Sequence, residues 1–307
     1  MVFGRLVWMN GEFIRIEEAK VSVVTATLHY GVGVFEGIRC YPRNENLCIF
    51  RLEDHVERLF DSAKIYGMKI PYTREEICKG VKEIVKANNF HEECYVRLLV
   101  YKGKLGEFGV KQCLSVSSDV TIIPSSKASF IGTKQFEKGR SAMISSWRRI
   151  APDSMPPMAK CVANYANSFL ALKETQKGKI GNVVFLDSKG FVSEGSGQNI
   201  FILKKGRLIT PPEWASILVG ITRNTIIRLA EDLGYDVLER DITRSELYTA
   251  EEVFLCGTAA EIVPVVNIDG ITIANEAGLS TRKIGSYYMK LVTGNLPKYR
   301  NWLTLVD

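Results

Sequence analysis

The sequence predicts an α+β protein of two domains, and three observations carry the prediction. Its 307 residues, with near-average hydrophobic content, fit two cores more naturally than one. Strand-like and helix-like stretches occur in both halves, without a long repeat or a low-complexity tract. Near the middle, PSSKASFIGTKQFEKG (Pro124–Gly139) has the mixed polarity and the prolines and glycines of a connection. The expected division is a small domain at 1–125, a connection at 126–139 and a large domain at 140–307.

The elements follow in order. RLVWMNGEFI reads as two strands joined by a tight turn, because Asn10-Gly11 favours the positive backbone angles of a hairpin. Leu52, Val56, Leu59, Ala63 and Tyr66 form a helical apolar stripe, and Gly67 suits its end. A second helix starts at a capping box, Thr73 with Glu76, and buries Ile77, Val81, Ile84 and Val85. CYVRLLVY and CLSVSSDVTIIP complete the first domain as strands. In the second, SAMISSW is a strand, and a helix follows Lys160 to about Lys177. NVVFLDSKGFVSEG and NIFILKKGRLIT are turn-linked strands. The helix after Thr222 carries Ile226, Ile227, Leu229, Ala230 and Leu233 before Gly234; EVFLCGTAAEIVPVVNIDG returns to strands and turns, and a last helix begins near Ser280.

Composition narrows the function. Lys plus Arg is 40 against 34 Asp plus Glu, a net +6 spread along the chain, which makes no nucleic-acid footprint. The cysteines, seven in all, show no CxxC, and only three histidines accompany them, so a reducing compartment is expected and no metal site. Neither a signal segment nor a membrane span is read, and the expected location is the cytoplasm.

Chemistry concentrates in a few stretches. In PPMAKCVANYANSFLALK, Lys160 leaves a proline-rich turn for small and apolar residues; an amine that loses its water in such a place can act as a nucleophile, although a stem covering a helix start would look the same. Glu194 in VSEGSGQNIF lies between an apolar strand and glycines, where a carboxylate could hold a protonated aromatic nitrogen or simply be solvated. VGITRNTII and CGTAAEI offer backbone donors and threonine hydroxyls to a phosphate; the plainer reading is a helix cap at Thr222 and a tight turn at Gly257. An aldehyde, a pyridine nitrogen and a phosphate on one molecule would use all of these, and pyridoxal phosphate carries all three. Gly31, Gly33 and Gly37 are spaced GxGxxxG rather than GxGxxG, a weak case for a nicotinamide dehydrogenase; Tyr30 and Phe35 there suit an apolar pocket or ordinary core. Arg39, Arg58 and Arg97 are candidate acid or phosphate ligands.

Taken together, MNGEFI, LHYGVGVFEGIRCY, HVERLFDSAKIY, AKCVANY, SEGSGQNIF, PPEWASILVGITR and CGTAAEIVPV strongly resemble the branched-chain amino-acid aminotransferases of class IV, nearly end to end. The resemblance implies a fold-type IV, D-amino-acid-aminotransferase-like enzyme with pyridoxal 5'-phosphate in the interdomain cleft and pyridoxamine 5'-phosphate as intermediate. It implies that Lys160 binds the cofactor covalently, Tyr165 approaches its phenolic oxygen, Glu194 pairs with its ring nitrogen, and Arg58, Ile221, Thr222 and Thr258 hold its phosphate. Thr258, Ala259 and Tyr95 would take the substrate α-carboxylate, Phe35 the side chain, and Arg97 the distal carboxylate of glutamate. A partner subunit would supply Tyr30 and the neighbourhood of Val110, so a homodimer or an assembly of dimers is expected. The implied reaction moves the amino group of leucine, isoleucine or valine to 2-oxoglutarate. Lys127 and Phe130 depart from the tryptophan and tyrosine of better-known bacterial members, and Gln198 from the glutamate of EGxGEN, which points to altered substrate preference with cofactor chemistry intact. Competing readings are a D-amino-acid or amine aminotransferase, an aminodeoxychorismate lyase, and a non-catalytic cofactor-binding protein.

Overall fold

The computed structural model describes residues 2–44, 46–126, 133–176 and 180–306. The chain divides into two units, Met1–Ala128 with Ala159–Ala163 and Leu291–Asp307, and Ser129–Met158 with Asn164–Lys290. Two distant segments join the first unit through main-chain hydrogen bonds to its sheet. Lys127 and Phe130 lie outside the described residues.

In the first unit, β1 (Val2–Phe3), β2 (Leu6–Met9) and β3 (Glu12–Arg15) precede a short helix α1 (Ala26–Tyr30), then β4 (Gly33–Arg43) and β5 (Asn46–Phe50). Helices α2 (Leu52–Ile65) and α3 (Arg74–Ala87) follow, then β6 (Cys94–Lys102), a 3-10 turn at Val110–Leu114 and β7 (Ser118–Ser126). Asn10 and Gly11 take the expected positive φ, 50° and 95°. The Thr73/Glu76 capping box forms, Thr73 Oγ1 accepting from Glu76 N and Glu76 returning to Thr73 N. The expected strand CLSVSSDVTIIP begins only at Ser118, since Cys113 and Leu114 close the 3-10 turn. The C-terminal strand Leu303–Val306 completes the sheet, whose order is C-terminal strand, β5, β4, β6, β7, β2, β3, with β1 on β7. One core fills the space under it, where Leu52, Val56, Leu59 and Ala63 of α2 and Ile77, Val81, Ile84 and Val85 of α3 meet Val34, Ile38, Val96 and Leu98 of the strands.

The second unit opens with α4 (Thr133–Lys138), β8 (Arg140–Ile144) and α5 (Asn164–Thr175). Next come β9 (Asn182–Leu186), β10 (Val192–Gly195), β11 (Asn199–Lys204), β12 (Arg207–Thr210), α6 (Ile221–Asp232), β13 (Val237–Glu239) and α7 (Arg244–Tyr248). The unit continues with β14 (Glu252–Gly257), β15 (Glu261–Ile268) and β16 (Ile271–Thr272), and α8 (Leu279–Val292) carries the chain back to the first unit. Its sheet runs β10, β9, β8, β15, β14, β11, β12, β13, with parallel pairs at β9/β8, β8/β15 and β12/β13 and antiparallel pairs elsewhere. Helix α6 is capped by Gly220 and starts at Ile221, so Thr222 is its second residue and not its cap. Among the described residues no helix is long and apolar enough to cross a membrane.

Leu59 is 0% exposed in the middle of the α2 stripe. Leu59→Ala should therefore lower stability by about 2–5 kcal/mol through lost transfer energy and a residual cavity. Urea unfolding of wild type and variant measures it, and a loss under about 1 kcal/mol, the range of exposed sites, would contradict this packing.

Candidate active site

Strand β4 has two edges with different neighbours. One pairs with β6 along its whole inner length, Gly33 opposite Tyr101 through Cys40 opposite Cys94. The other is split: Cys40–Arg43 pair with β5, while Val34 bridges to Cys161. There Phe35 N donates to Lys160 O at 3.0 Å and Val162 N donates to Gly33 O at 2.9 Å. The amide of Lys160 itself donates to Ser62 Oγ of α2 at 3.0 Å. The backbone of this lysine is thus held on both sides, and its half-buried side chain lies with Nζ 5.0 Å from the centre of the Phe35 ring.

Alternation along β4 and β6 decides what surrounds that amine. Phe35 and Gly37 share a face with Tyr95 and Arg97, because Gly37 is opposite Arg97 and Arg39 opposite Tyr95. The Arg97 guanidinium lies 4.4 Å from the centre of the Phe35 ring, a cation–π distance, and its Nη2 donates to Tyr95 Oη at 3.1 Å. Gly37 makes this packing feasible, since a Cβ there would overlap the Tyr95 hydroxyl. Four residues named from the sequence, Lys160, Phe35, Tyr95 and Arg97, therefore meet in one place. Arg39 does not join them: it is buried and pairs with Glu93 at 2.7 Å.

The opposite face of β4 carries Val34, Ile38 and Cys40 into the core, and with them Glu36, which is 0% exposed. Arg58 of α2 meets it in a two-pronged pair, Nε to Oε1 at 2.7 Å and Nη2 to Oε2 at 2.9 Å, and His55 Nδ1 lies 2.7 Å from Oε2. Burial alone would raise the Glu36 carboxyl, but Arg58 and His55 outweigh it and hold it well below the usual carboxylate range. Burial lowers the His55 imidazole against the pull of Glu36. A neutral imidazole donating from Nδ1 to an ionised Glu36 satisfies both directions.

The second unit gathers the other predicted groups at one end of its sheet. Glu194, at the end of β10 and 4% exposed, accepts from Arg149 Nε at 2.8 Å on one oxygen. On the other it accepts from Leu218 N at 3.0 Å and Asn199 Nδ2 at 3.3 Å. Asn199 also donates to Leu218 O at 2.9 Å and lies against Gly220, where a Cβ would overlap its Oδ1. Glu194 is thereby tied to the start of α6, whose cap residue Gly220 offers no side-chain acceptor to the first amides. Ile221 and Thr222 stand buried in that first turn. A helix N-terminus left in this state presents N–H groups suited to an anion.

Two turns complete this end. In Gly195–Gln198, Gly195 N donates to Gln198 O at 2.7 Å and Gly197 N to Gln198 Oε1 at 3.1 Å, so the amide oxygen of Gln198 supplies the turn's acceptor. Tyr165 of α5, 36% exposed, approaches Gly197, with Cε1 4.0 Å from where a Cβ would stand. Thr258 and Ala259 lie in the loop joining β14 to β15, beside Gly257, where a Cβ would stand 3.2 Å from Gly197 O. Elsewhere, in the first unit, Gly109 N donates to Tyr30 Oη at 2.9 Å, which brings Tyr30 to the neighbourhood of Val110, a residue 63% exposed.

A strand-anchored lysine beside an aromatic ring in one unit, and in the other a clamped buried carboxylate next to a helix N-terminus without a side-chain cap, are the kinds of group an aminotransferase uses. Residues 33–268 match the model of the family described as amino-transferase class IV, and the chain belongs to that family. Over 98% of its length it is 40% identical to the branched-chain-amino-acid aminotransferase of Escherichia coli, covering 97% of that protein. It superposes with a TM-score of 0.92 at 44% identity on the branched-chain aminotransferase of Thermoproteus uzoniensis with norvaline, covering 99% of this chain and 100% of that one. The branched-chain amino acid aminotransferase of Thermobaculum terrenum in its PLP-form gives 0.92 at 37% identity over 100% of both chains. Full-length agreement of this kind places the chain with the branched-chain amino-acid aminotransferases within the family.

Sequence reasoning did not single out Glu36, His55, Arg149 and Asn199. Glu36 pairs with Arg58 and His55 in the first unit, and Arg149 and Asn199 donate to Glu194 in the second, and only long-range pairing reveals such contacts. Gly37 was legible merely as one glycine of a loose GxGxxxG. Gly37→Ala should displace the Tyr95 ring, keep the fold, and lower kcat/KM by about 100-fold, as misplacement by ~1 Å does. Steady-state kinetics with thermal unfolding measure it; unchanged kcat/KM in a folded variant would contradict the arrangement.

Proposed function

We propose that the protein transfers the amino group of leucine, isoleucine or valine reversibly to 2-oxoglutarate, with pyridoxal 5'-phosphate as cofactor. The observation that carries this reading is the meeting of Lys160, Phe35, Tyr95 and Arg97. It supplies an amine, an apolar wall and donors for carboxylates in one place.

The residues fit the cofactor. The bound group supplies an electron sink for the negative charge that develops at the substrate α-carbon. Lys160 would hold it covalently, and the amine of the lysine, when free, would carry the proton away from the α-carbon. Glu194 holds the ring nitrogen, and Arg149, Asn199 and Leu218 N fix the direction of its carboxylate. Tyr165 would approach the phenolic oxygen. Arg58, the first amides of α6 at Ile221 and Thr222, and Thr258 take the phosphate. The substrate α-carboxylate binds at Thr258, Ala259 and Tyr95, the branched side chain lies on Phe35, and Arg97 receives the distal carboxylate when glutamate or 2-oxoglutarate occupies the same place. Lys127 and Phe130 act on substrate range.

The working unit is a homodimer or an assembly of dimers. Leu28, Phe108, Val110 and Leu114 are exposed apolar residues around the Tyr30–Gly109 hydrogen bond, a composition that a second subunit would cover.

Lys160→Ala removes the covalent anchor and the proton carrier together. Turnover should fall by at least about 100- to 10000-fold, the usual contribution of proton transfer, while the folded fraction is retained. Product analysis with paired L- and D-donors and 2-oxoglutarate reads the wild-type reaction. L-branched donors giving 2-oxo acids and glutamate are expected. Preference for D-donors or simple amines, pyruvate release from an aminated chorismate, or near-normal turnover of the variant would overturn the reading.

A further inference from the structure

Glu36 poses a physical problem. Strand alternation points it to the face that buries Val34, Ile38 and Cys40, and it has no exposure. An ionised carboxylate there loses its hydration, and an ion pair in such a place is commonly matched or bettered in stability by an apolar residue of similar size. Core packing therefore does not account for a glutamate at this position. Its partners do: both oxygens are committed, one to Arg58 Nε, the other to Arg58 Nη2 and His55 Nδ1.

We propose that Glu36 and His55 are positioning residues that hold the Arg58 guanidinium in the orientation that receives the cofactor phosphate. This rests on the reading, given above, that Arg58 binds that phosphate. A carboxylate engaging Nε and Nη2 together fixes the plane of the guanidinium, which a single hydrogen bond would leave free to swing. His55 supplies the third contact and stops the carboxylate from turning about its own axis. His55 Nε2 is buried and has no hydrogen-bond partner among the described residues, so the ring's contribution to this cluster runs through Nδ1.

Helix α2 extends the device to the lysine. His55, Arg58 and Ser62 follow one another at three- and four-residue steps and lie on one helix face. Ser62 Oγ accepts the Lys160 amide. The axial offset between the residue that takes the phosphate and the one that anchors the lysine is thus four residues of helix, about 6 Å. Glu36 pins that face of the helix to β4, the same strand that accepts the Lys160 segment on its edge.

The test separates phosphate recognition from folding. Equilibrium dissociation constants are measured by absorbance for pyridoxal 5'-phosphate and for pyridoxal, which lacks the phosphate, using wild type, Glu36→Gln, His55→Leu, His55→Asn and Arg58→Ala, with thermal unfolding of each. Loss of a hydrogen bond to a charged group predicts that Glu36→Gln and His55→Leu weaken pyridoxal 5'-phosphate by about 10- to 100-fold. Pyridoxal should be affected by less than about twofold, well under one such bond. His55→Asn keeps a donor near the Nδ1 position and should restore most of the affinity. Equal weakening of both ligands, or no weakening of either while Arg58→Ala weakens the phosphate form, would overturn the proposal. Unchanged affinity in Arg58→Ala would instead remove the reading of Arg58 on which it rests. Should Glu36→Gln not fold, the two His55 variants decide the matter.

Discussion

A lysine that must bind, release and rebind a partner needs a fixed backbone under a side chain that can move. The split edge of β4 meets that demand. Its first residues accept the Lys160 segment as a short antiparallel bridge, and its last pair with β5, so one strand carries both the sheet and the Lys160 segment. Everything else in the first unit follows from strand alternation about this edge. Odd positions place Phe35 and Gly37 beside Tyr95 and Arg97, and even positions send Glu36 into the core to meet α2. A shift of one residue in the register of β4 would exchange these two faces and bury Phe35 where Glu36 now clamps Arg58.

The second unit holds its buried carboxylate with one ion and two neutral donors. Glu194 is kept out of water by an arginine on one oxygen and by an amide and a peptide N–H on the other. The same peptide stretch leads into Gly220 and the first turn of α6, so the carboxylate is tied to the helix N-terminus. Glycine matters where the chain comes closest: at Gly220 the missing Cβ leaves room for Asn199, and at Gly257 for the Gly195–Gln198 turn. Gln198 in place of a glutamate keeps that turn closed, because an amide oxygen accepts from Gly197 N as a carboxylate would.

The parts of the fold legible in the sequence are those with local causes. The Asn10-Gly11 hairpin, the Thr73 capping box and the apolar stripes of α2 and α3 depend on residues within one or two turns of each other. The segment Ala159–Ala163 and the C-terminal strand were not legible as members of the first unit, because their pairing partners lie more than 100 residues away. Strand β4 also hides its alternation. Gly33 through Tyr41 are all buried, so no polar–apolar rhythm marks which side chains face the site and which face the core. Lys160, Glu194 and the α6 start could be singled out from their chemistry and neighbours, Arg58 and Arg97 stood out as candidate acid or phosphate ligands together with Arg39, and Tyr95 was named only through the resemblance. Glu36, His55, Arg149 and Asn199 had no signal of their own, since a charged residue in a string of letters does not say whom it pairs with.

The central claim is that Lys160, set by the edge of β4, is the residue that takes the cofactor. Borohydride reduction of the cofactor-loaded protein makes that attachment permanent, and mass spectrometry of a digest locates it. The added pyridoxyl mass should fall on the peptide that contains Lys160. Its appearance on any other lysine, with the Lys160 peptide unmodified, would contradict the account.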